Sequence, residues 1–183
     1  MKLKSLTSLA ASGVMLAALT PALSQANSGN VEFTGNITSV SCHVTVDANG
    51  LDQPVRLGDI SPADLATTGA TSPAKGFEIY LNGDKGCVDG SKAVITFNKT
   101  GHIDPGTGNL RLIGEGSATG VQIQISNNAE GNTEVINLFT NDNQQVAEVK
   151  ENKAVFKFNA SYVATGNVTE GFGNSNIDFL VSY

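Results

Sequence analysis

Residues 156–162 have the sequence Phe-Lys-Phe-Asn-Ala-Ser-Tyr, in which Phe156, Phe158, Ala160 and Tyr162 alternate with three polar residues. A period of two places the two sets of side chains on opposite faces of an extended chain. One apolar face opposite one polar face is typical of a half-buried β-strand. The stretch therefore predicts a strand whose apolar face packs on a hydrophobic core.

The same alternation recurs along the chain and predicts an all-β protein. Turn-forming pairs such as Asn82-Gly83 and Asp89-Gly90 separate the apolar stretches. The one helical feature is at residues 61–65, where Ser61 is placed to cap a short turn with Pro62 at its first position. Many short strands with frequent turns predict a single β-sandwich domain. The further strand candidates are residues 31–46, 55–57, 77–81, 93–97, 110–113, 121–125 and 177–183.

Residues 1–26 have the features of a secretory signal peptide. Lys2 and Lys4 precede a short apolar stretch that Pro21 ends, and small residues follow at Ala22 and Ala26. A positive start, a short apolar segment and a small-x-small cleavage site are typical of such signals. We expect cleavage after Ala26, with cleavage after Ala22 as the alternative. A membrane anchor is disfavoured because the apolar stretch is too short to span a bilayer.

The charge of the chain excludes some partners. Its net charge is −6, and losing the two lysines of the signal peptide lowers it by two to −8. An acidic chain without a basic run is a poor partner for nucleic acid or an anionic membrane. The two cysteines, Cys42 and Cys87, are predicted to form a disulfide because the signal sends the chain to an oxidising compartment. A disulfide that closes the loop between these two cysteines should stabilise the fold by roughly 4 kcal/mol in the chain-entropy model.

The two ends of the processed chain have complementary features. Val31 and Phe33 alternate with polar residues in a proline-free segment, so every amide of residues 27–35 could join a β-ladder. After Asp178, the last strand candidate, residues 177–183, contains no charged residue and no proline that would protect an exposed edge. A strand offered at one end and an open edge at the other make head-to-tail assembly into filaments feasible. From alternation alone, residues 27–35 could equally be the first strand of the domain itself.

A set of motifs in order favours assembly. The segment from Gly29 to Cys42 resembles the opening of chaperone–usher fimbrial subunits of the type 1 pilus family, with Val-x-Phe-x-Gly before the first cysteine. Cys87 matches the second cysteine of that family. Residues 55–60, 120–125 and 158–162 resemble its Val-x-Leu-Gly, Gly-Val-x-Ile-x-Ile and Phe-x-Ala-x-Tyr segments. Gly171 stands twelve residues before Tyr183, a spacing that the family also shows.

The resemblance implies an incomplete immunoglobulin-like sandwich that lacks its seventh strand and is completed by a donor strand from a neighbouring subunit. It implies a signal peptide at 1–26, a donor extension at 27–36 and a pilin domain at 37–183. It also implies export through the periplasm, a periplasmic chaperone, an outer-membrane usher and a fibre on the cell surface. The implied donor-strand residues are Gly29, Val31, Phe33 and Gly35, and the implied groove-strand residues are Gly171, Ile177, Phe179, Val181 and Tyr183.

Catalysis is not expected, and no cofactor or metal is implied. His43 and His102 are too few for a typical zinc site, and the common nucleophile and nucleotide motifs do not occur. The run from Asn141 to Asn143 does not have EF-hand spacing and is interpreted as a solvated loop. A minor tip or adaptor subunit with lectin-like carbohydrate binding stays open as the alternative. The aromatic residues 156, 158 and 162 are expected in the core rather than on a sugar-binding surface.

Overall fold

The computed structural model of this chain describes residues 42–46, 54–83 and 86–183. The predicted donor extension, the signal peptide and residues 37–41 of the predicted domain lie outside these residues. Apart from one turn of 3₁₀ helix, the regular structure in the described part is β-strand. The strands are β1 (His43–Val46), β2 (Lys75–Asn82), β3 (Lys92–Phe97), β4 (Leu110–Arg111), β5 (Val121–Asn127), β6 (Val146–Glu148), β7 (Lys153–Ala164) and β8 (Phe179–Ser182).

The strands form two antiparallel sheets. The larger sheet has the order β1-β2-β7-β5-β4, and the smaller sheet has the order β6-β3-β8. The long strand β7 is the centre of the larger sheet, with Phe156 opposite Ile79 of β2 and Tyr162 opposite Ile123 of β5. In the smaller sheet β3 is central, between β6 and β8. The last strand is therefore a neighbour of β3 and an edge of its sheet within the described residues.

The core lies between the two sheets and combines inward-facing strand residues with residues from connecting segments, such as Ile136 and Leu138. Phe156 and Phe158 of β7 are fully buried, as are Leu81 of β2 and Ile95 of β3. The ring of Phe158 contacts Phe97 edge-on, with 5.8 Å between ring centroids, and so joins the two sheets. Burial of large aromatic and aliphatic side chains is the main stabilising contribution in such a sandwich.

Most of the predicted elements are confirmed. The strand candidates at 77–81, 93–97 and 121–125 lie within β2, β3 and β5, and residues 156–162 lie within β7. The turn at Pro62–Leu65 is a 3₁₀ helix, and the backbone amide of Ala63 donates to the hydroxyl of Ser61 at 3.2 Å. No helix in the described ranges has the length and apolar character needed to cross a membrane.

Three predicted strands are absent or shorter than expected, and one strand was not predicted. The candidate at 177–183 is a strand only over Phe179–Ser182. Residues 55–57 form no strand, because Gly58 has φ +83° and turns the chain towards the 3₁₀ helix directly after Leu57. The candidate at 110–113 is a strand only at its first two residues, and the amide of Ile113 instead donates to Asn174. Strand β6 was not predicted, because three residues in a polar context give no clear alternation.

Candidate functional site

An apolar groove lies between β1 and β8, the two edge strands that belong to different sheets. It has a volume of about 400 Å³. Strand β1 is paired on one side with β2, and β8 is paired on one side with β3. The groove therefore runs between two strands that stand at the ends of their sheets in the described part of the chain. Its lining residues are Cys42, Val44, Val46, Phe179, Leu180, Val181 and Tyr183.

The first wall of the groove is formed by alternate residues of β1. Val44 is opposite Leu81 and Val46 is opposite Ile79 in the ladder with β2. Residues directly opposite each other in an antiparallel pair project from the same face of the sheet. Because Leu81 and Ile79 are buried in the core, Val44 and Val46 also face the interior. Val44 is nevertheless 36% exposed, so the core is left uncovered beside this strand.

The second wall is formed by alternate residues of β8. Phe179 is opposite Phe97 and Val181 is opposite Ile95, and both partners on β3 are buried. Phe179 and Val181 are only partly buried, although they pack against the core. Leu180, between them, projects from the other face and is exposed. The pattern gives β8 an inward apolar face that its own sheet covers incompletely.

Backbone groups on the free side of β8 complete the geometry. In a β-strand, N–H and C=O groups point alternately to the two neighbouring strands. In the described part of the chain β8 is the last strand of its sheet, so its N–H and C=O groups that point away from β3 lie along the sheet edge. An edge of this kind is a template for pairing with another extended segment. The groove can therefore accept a strand through both ladder hydrogen bonds and inward side chains.

One end of the groove is closed by Tyr183. The backbone amide of Cys42 donates a hydrogen bond to the Tyr183 hydroxyl at 3.0 Å. Cys42 is joined to Cys87 by the predicted disulfide, with 5.6 Å between their Cα atoms. Gly83 makes room for the bridge, since a Cβ there would lie 3.0 Å from the sulfur of Cys87. The closed end is thus attached to a covalently fixed part of the domain.

The lining of the groove suits binding rather than reaction. No carboxylate, ammonium, guanidinium or imidazole group is among the lining residues, and the sulfur of Cys42 is in the disulfide. His43 alternates with the groove residues and is exposed, while His102 lies in the loop before β4. Three or more metal-ligating side chains do not cluster anywhere in the residues that the structure describes. A second depression, of about 380 Å³, includes the charged residues Arg56, Lys75 and Glu78.

The structure brings together most of the predicted groove-strand residues. Phe179, Val181 and Tyr183 line the groove, and Ile177 precedes β8 and packs on the same core. The predicted donor-strand residues Gly29, Val31, Phe33 and Gly35 lie outside the described residues. The disulfide between Cys42 and Cys87 is confirmed.

Gly171 lies away from β8, in the segment that leads to it. Its φ is +153°, and a Cβ at this position would overlap the backbone of residues 116–118. Next to it, the amide of Phe172 donates to the carbonyl of Gly116, and the amide of Ala118 donates to the carbonyl of Phe172. The glycine therefore allows two backbone segments to approach closely. It contributes to the path of the chain towards β8 rather than to the wall of the groove.

Tyr162 fixes the same segment from the other side. Its hydroxyl donates to the carbonyl of Gly173 at 2.9 Å, and burial raises the pKa of this phenol. Phe156, Phe158 and Tyr162 are therefore core and support residues, as predicted, rather than a surface platform.

The wall formed by β1 was missed in the sequence. Val44 and Val46 follow Cys42 at intervals of two, which is the same alternation that identified β8. That pattern could have identified the wall. What the sequence alone could not supply is that β1 and β8, 141 residues apart at the Cys42–Tyr183 contact, lie on two sides of one groove.

Comparisons with known proteins found fimbrial proteins similar to this chain along nearly its whole length. The family model described as "Fimbrial protein" matches residues 31–183. The type-1 fimbrial protein A chain of Escherichia coli K12 is 37% identical over 189 residues and is covered completely, as is this chain. The probable major fimbrial subunit LpfA of Escherichia coli O157:H7 is 35% identical, with 97% of this chain and 93% of that protein covered.

A solved structure resembles the fold. The P pilus rod subunit PapA has a TM-score of 0.52 and 20% sequence identity, with 84% of this chain and 99% of that chain covered. At this identity the likeness concerns the fold. It is consistent with the immunoglobulin-like sandwich that the sequence resemblance implied.

Proposed function

We propose a mode of assembly that starts from one premise, namely that this chain belongs to the fimbrial protein family. Members of this family are structural subunits of surface fibres and not enzymes. In our proposal, residues 27–36 of one subunit enter the groove between β1 and β8 of the next subunit. The subunit that receives the segment gains the strand that its sandwich lacks, and repetition of the step builds the fibre.

The observation that carries the proposal is the open, apolar groove at the free edge of β8. Val44 and Val46 on one wall, and Phe179 and Val181 on the other, are each separated by one outward residue. Val31 and Phe33 have the same separation in the N-terminal segment. Inward positions of a strand recur about every 6.8 Å, so a segment with two apolar residues at this spacing matches both walls.

The segment would be held by two contributions. Ladder hydrogen bonds to the edge of β8 provide affinity, and side chains that enter the groove select the register. Burying a valine and a phenylalanine contributes roughly 1.5–3 kcal/mol for each side chain. Gly29 and Gly35 flank the two apolar residues at the same alternation, and they would lie where the groove is too shallow for a side chain.

The same exposed groove requires protection before assembly. An apolar groove beside an unpaired strand edge favours aggregation. A periplasmic chaperone that adds a strand along β8, beside Ile177, Phe179 and Val181, would cover it after residues 1–26 have directed export. An outer-membrane usher would then exchange the chaperone for residues 27–36 of the next subunit. The remaining domain would begin at residue 37, and the surface fibre would serve adhesion.

The test introduces a charge into the donor segment of the complete chain, produced with a chaperone and usher. Phe33→Asp should reduce fibre yield by about 100-fold or more, because an inward carboxylate would have to be desolvated in an apolar groove. Thr34→Asp is the matched control, since the neighbouring position faces outward in the same strand. It should assemble at nearly the normal yield.

Fibre yield is measured by electron microscopy and by the ladder of multimers on gels run without boiling. The chaperone complex of Phe33→Asp should still be recovered from the periplasm, because the donor segment and the groove are separate parts of the chain. Normal fibres from Phe33→Asp would contradict the proposal. Equal loss with Thr34→Asp would show that the segment is not alternating between an inward and an outward face.

A further inference from the structure

Tyr183 and Cys42 occupy corresponding inward positions at one end of the groove. Counting by two along β8, the inward residues are Phe179, Val181 and then Tyr183. Along β1, they are Val46, Val44 and then Cys42. Each wall thus has three inward positions, and the hydrogen bond between the Cys42 amide and the Tyr183 hydroxyl joins the third position of one wall to that of the other.

The hydrogen bond uses a backbone donor that an entering strand would otherwise use. The amide of Cys42 donates across the gap to a residue beside β8, and so it points to the side of β1 away from β2. Cys42 cannot easily move away from the contact, because the disulfide fixes it to Cys87. Tyr183 therefore closes the third inward position against a rigid support.

Tyr183 itself is held by a contact that can be broken. Its side chain lines the groove and is 49% exposed, so burial alone does not fix it. The ring can leave the groove once the bond to Cys42 is lost. The hydrogen bond thus determines whether the groove offers two inward positions or three.

We infer that Tyr183 sets the register of the strand that enters the groove, by keeping the third inward position closed. The inference rests on the proposed function. The other two inward positions, beside the pairs Val44–Val181 and Val46–Phe179, accept Val31 and Phe33 in one arrangement. If Tyr183 also left the third position, the same segment could bind two residues further along. Tyr183 is therefore a specificity-determining residue for register.

The test locates the outward face of the donor segment in assembled fibres. Glu32→Cys is combined in turn with Asp178→Cys, Leu180→Cys or Ser182→Cys, and the fibres are treated with a short thiol cross-linker. Each pair reports one register, as covalent multimers that survive boiling. With Tyr183 intact, one of the three pairs should give most of the multimers.

Substitution of Tyr183 should weaken the preference for the original cross-linking pair. In Tyr183→Phe, loss of one hydrogen bond should lower the preference for the original pair by about five-fold. In Tyr183→Ala, the ring is also lost, and cross-linking should spread to the neighbouring pair, two residues away. Phe172→Ala is the control, since it removes an exposed aromatic ring outside the groove and should leave the preference unchanged.

The outcomes separate the inference from its premise. If the strength of the preference for the original pair is unchanged in both Tyr183→Phe and Tyr183→Ala, the register is set elsewhere and the inference is wrong. If no pair cross-links two subunits when Tyr183 is intact, donor-strand assembly itself is wrong. If Tyr183→Ala gives no fibres, Tyr183→Phe decides, because it retains the ring and the fold.

Discussion

The two sides of the sandwich treat their strand edges in opposite ways. We call the side of β6 and residues 141–145 the closed side, and the side of β1 and β8 the open side. On the closed side, amide side chains bond to backbone groups where neighbouring strands end. On the open side, the described contact between the two edges is the single hydrogen bond from Cys42 to Tyr183, next to an apolar groove.

Gln145 is the centre of the closed side. It is 5% exposed. Its side-chain oxygen accepts from the backbone amide of Lys157 at 2.7 Å, and its side-chain nitrogen donates to the backbone carbonyl of Lys157 at 2.9 Å. The same amide donates to the buried side chain of Asn127. The side chain thus acts as a short strand partner for β7, just beyond the residue of β7 that pairs with the last residue of β5.

Asn141 has a similar role at the end of β3. Its side chain accepts from the amide of Phe97 at 2.9 Å and donates to the carbonyl of Phe97 at 3.0 Å. Strand β6 is too short to reach this residue. The comparison teaches that, in the described residues, this chain covers strand ends on one side with its own side chains and keeps a groove on the other.

The largest expected effect concerns the disulfide that fixes the open side. Replacing both cysteines, Cys42→Ala with Cys87→Ala, should lower the free energy of unfolding by roughly 4 kcal/mol, because the unfolded chain regains a closed loop's entropy. Urea unfolding of the oxidised and the doubly substituted complete chain measures the difference. Reduction of the disulfide by dithiothreitol should give the same loss of unfolding free energy. The oxidised chain after mock treatment is the control for this reduction. A loss below about 1 kcal/mol would mean that the disulfide is not what fixes the open side.

The next effect tests the closed side. Gln145→Leu should lower the free energy of unfolding by about 2–3 kcal/mol, because the Lys157 amide and the side-chain oxygen of Asn127 lose their hydrogen-bond partner. Gln144→Leu is the matched control, since Gln144 is only partly buried and makes one side-chain hydrogen bond, of 3.3 Å, to Thr96. Thermal unfolding of the purified chains gives both values. Equal losses in the two variants would remove the distinction that we draw for Gln145.

A smaller effect compares the two faces of β8. Phe179→Ala should lower the free energy of unfolding by about 2 kcal/mol, less than a fully buried phenylalanine would, because its ring is only partly covered. Leu180→Ala, on the exposed face, should cost less than about 0.5 kcal/mol. In fibres the difference should grow, since an added strand would cover Phe179 further. Melting of fibres and of isolated subunits measures both differences, and a gap that is no larger in fibres would contradict strand addition beside Phe179.

The sequence predicted much of the fold because most strands alternate. Phe156 to Tyr162 alternates strictly, and Ile177, Phe179 and Val181 recur at intervals of two; the apolar residues of the first stretch and these three pack on the core as expected. The closed side could not be predicted in the same way. Asn141 was interpreted as part of a solvated loop, because nothing in an asparagine-rich segment indicates which amide turns inward to a distant strand.

Only one of the two walls of the groove was predicted from the sequence. The alternation of Phe179 and Val181 identified one wall of the groove. Cys42, Val44 and Val46 alternate too, but the pairing of two edges from opposite ends of the chain depends on tertiary structure. Gly171 was placed with the groove strand by its spacing from Tyr183, whereas its close approach to residues 116–118 arises from the path of the chain.

The smallest effect concerns pH and Asp104, an acidic residue that does not line the groove. The amide of Gly106 donates to Asp104 at 2.9 Å, and this bond, with Arg111 at 3.1 Å, lowers the pKa of Asp104 below 3.8. A carboxylate with a lowered pKa stabilises the folded state above its ordinary pKa, and the contribution is lost as pH falls through the lowered value. Asp104→Asn should therefore be less stable at neutral pH by at most about 1 kcal/mol, since Arg111 is half exposed to solvent.

The difference in the free energy of unfolding between wild type and Asp104→Asn should vanish as the pH falls through the lowered pKa of Asp104. A protonated carboxyl and an amide then differ little. Chemical unfolding at a series of pH values measures the gap, and a gap that persists in acid would assign the loss at Asp104 to packing instead of charge. The groove has no carboxylate or cationic side chain among its lining residues. Strand exchange in the groove should therefore give the same preferred cross-linking pair in both proteins throughout the series, while their subunit stabilities converge.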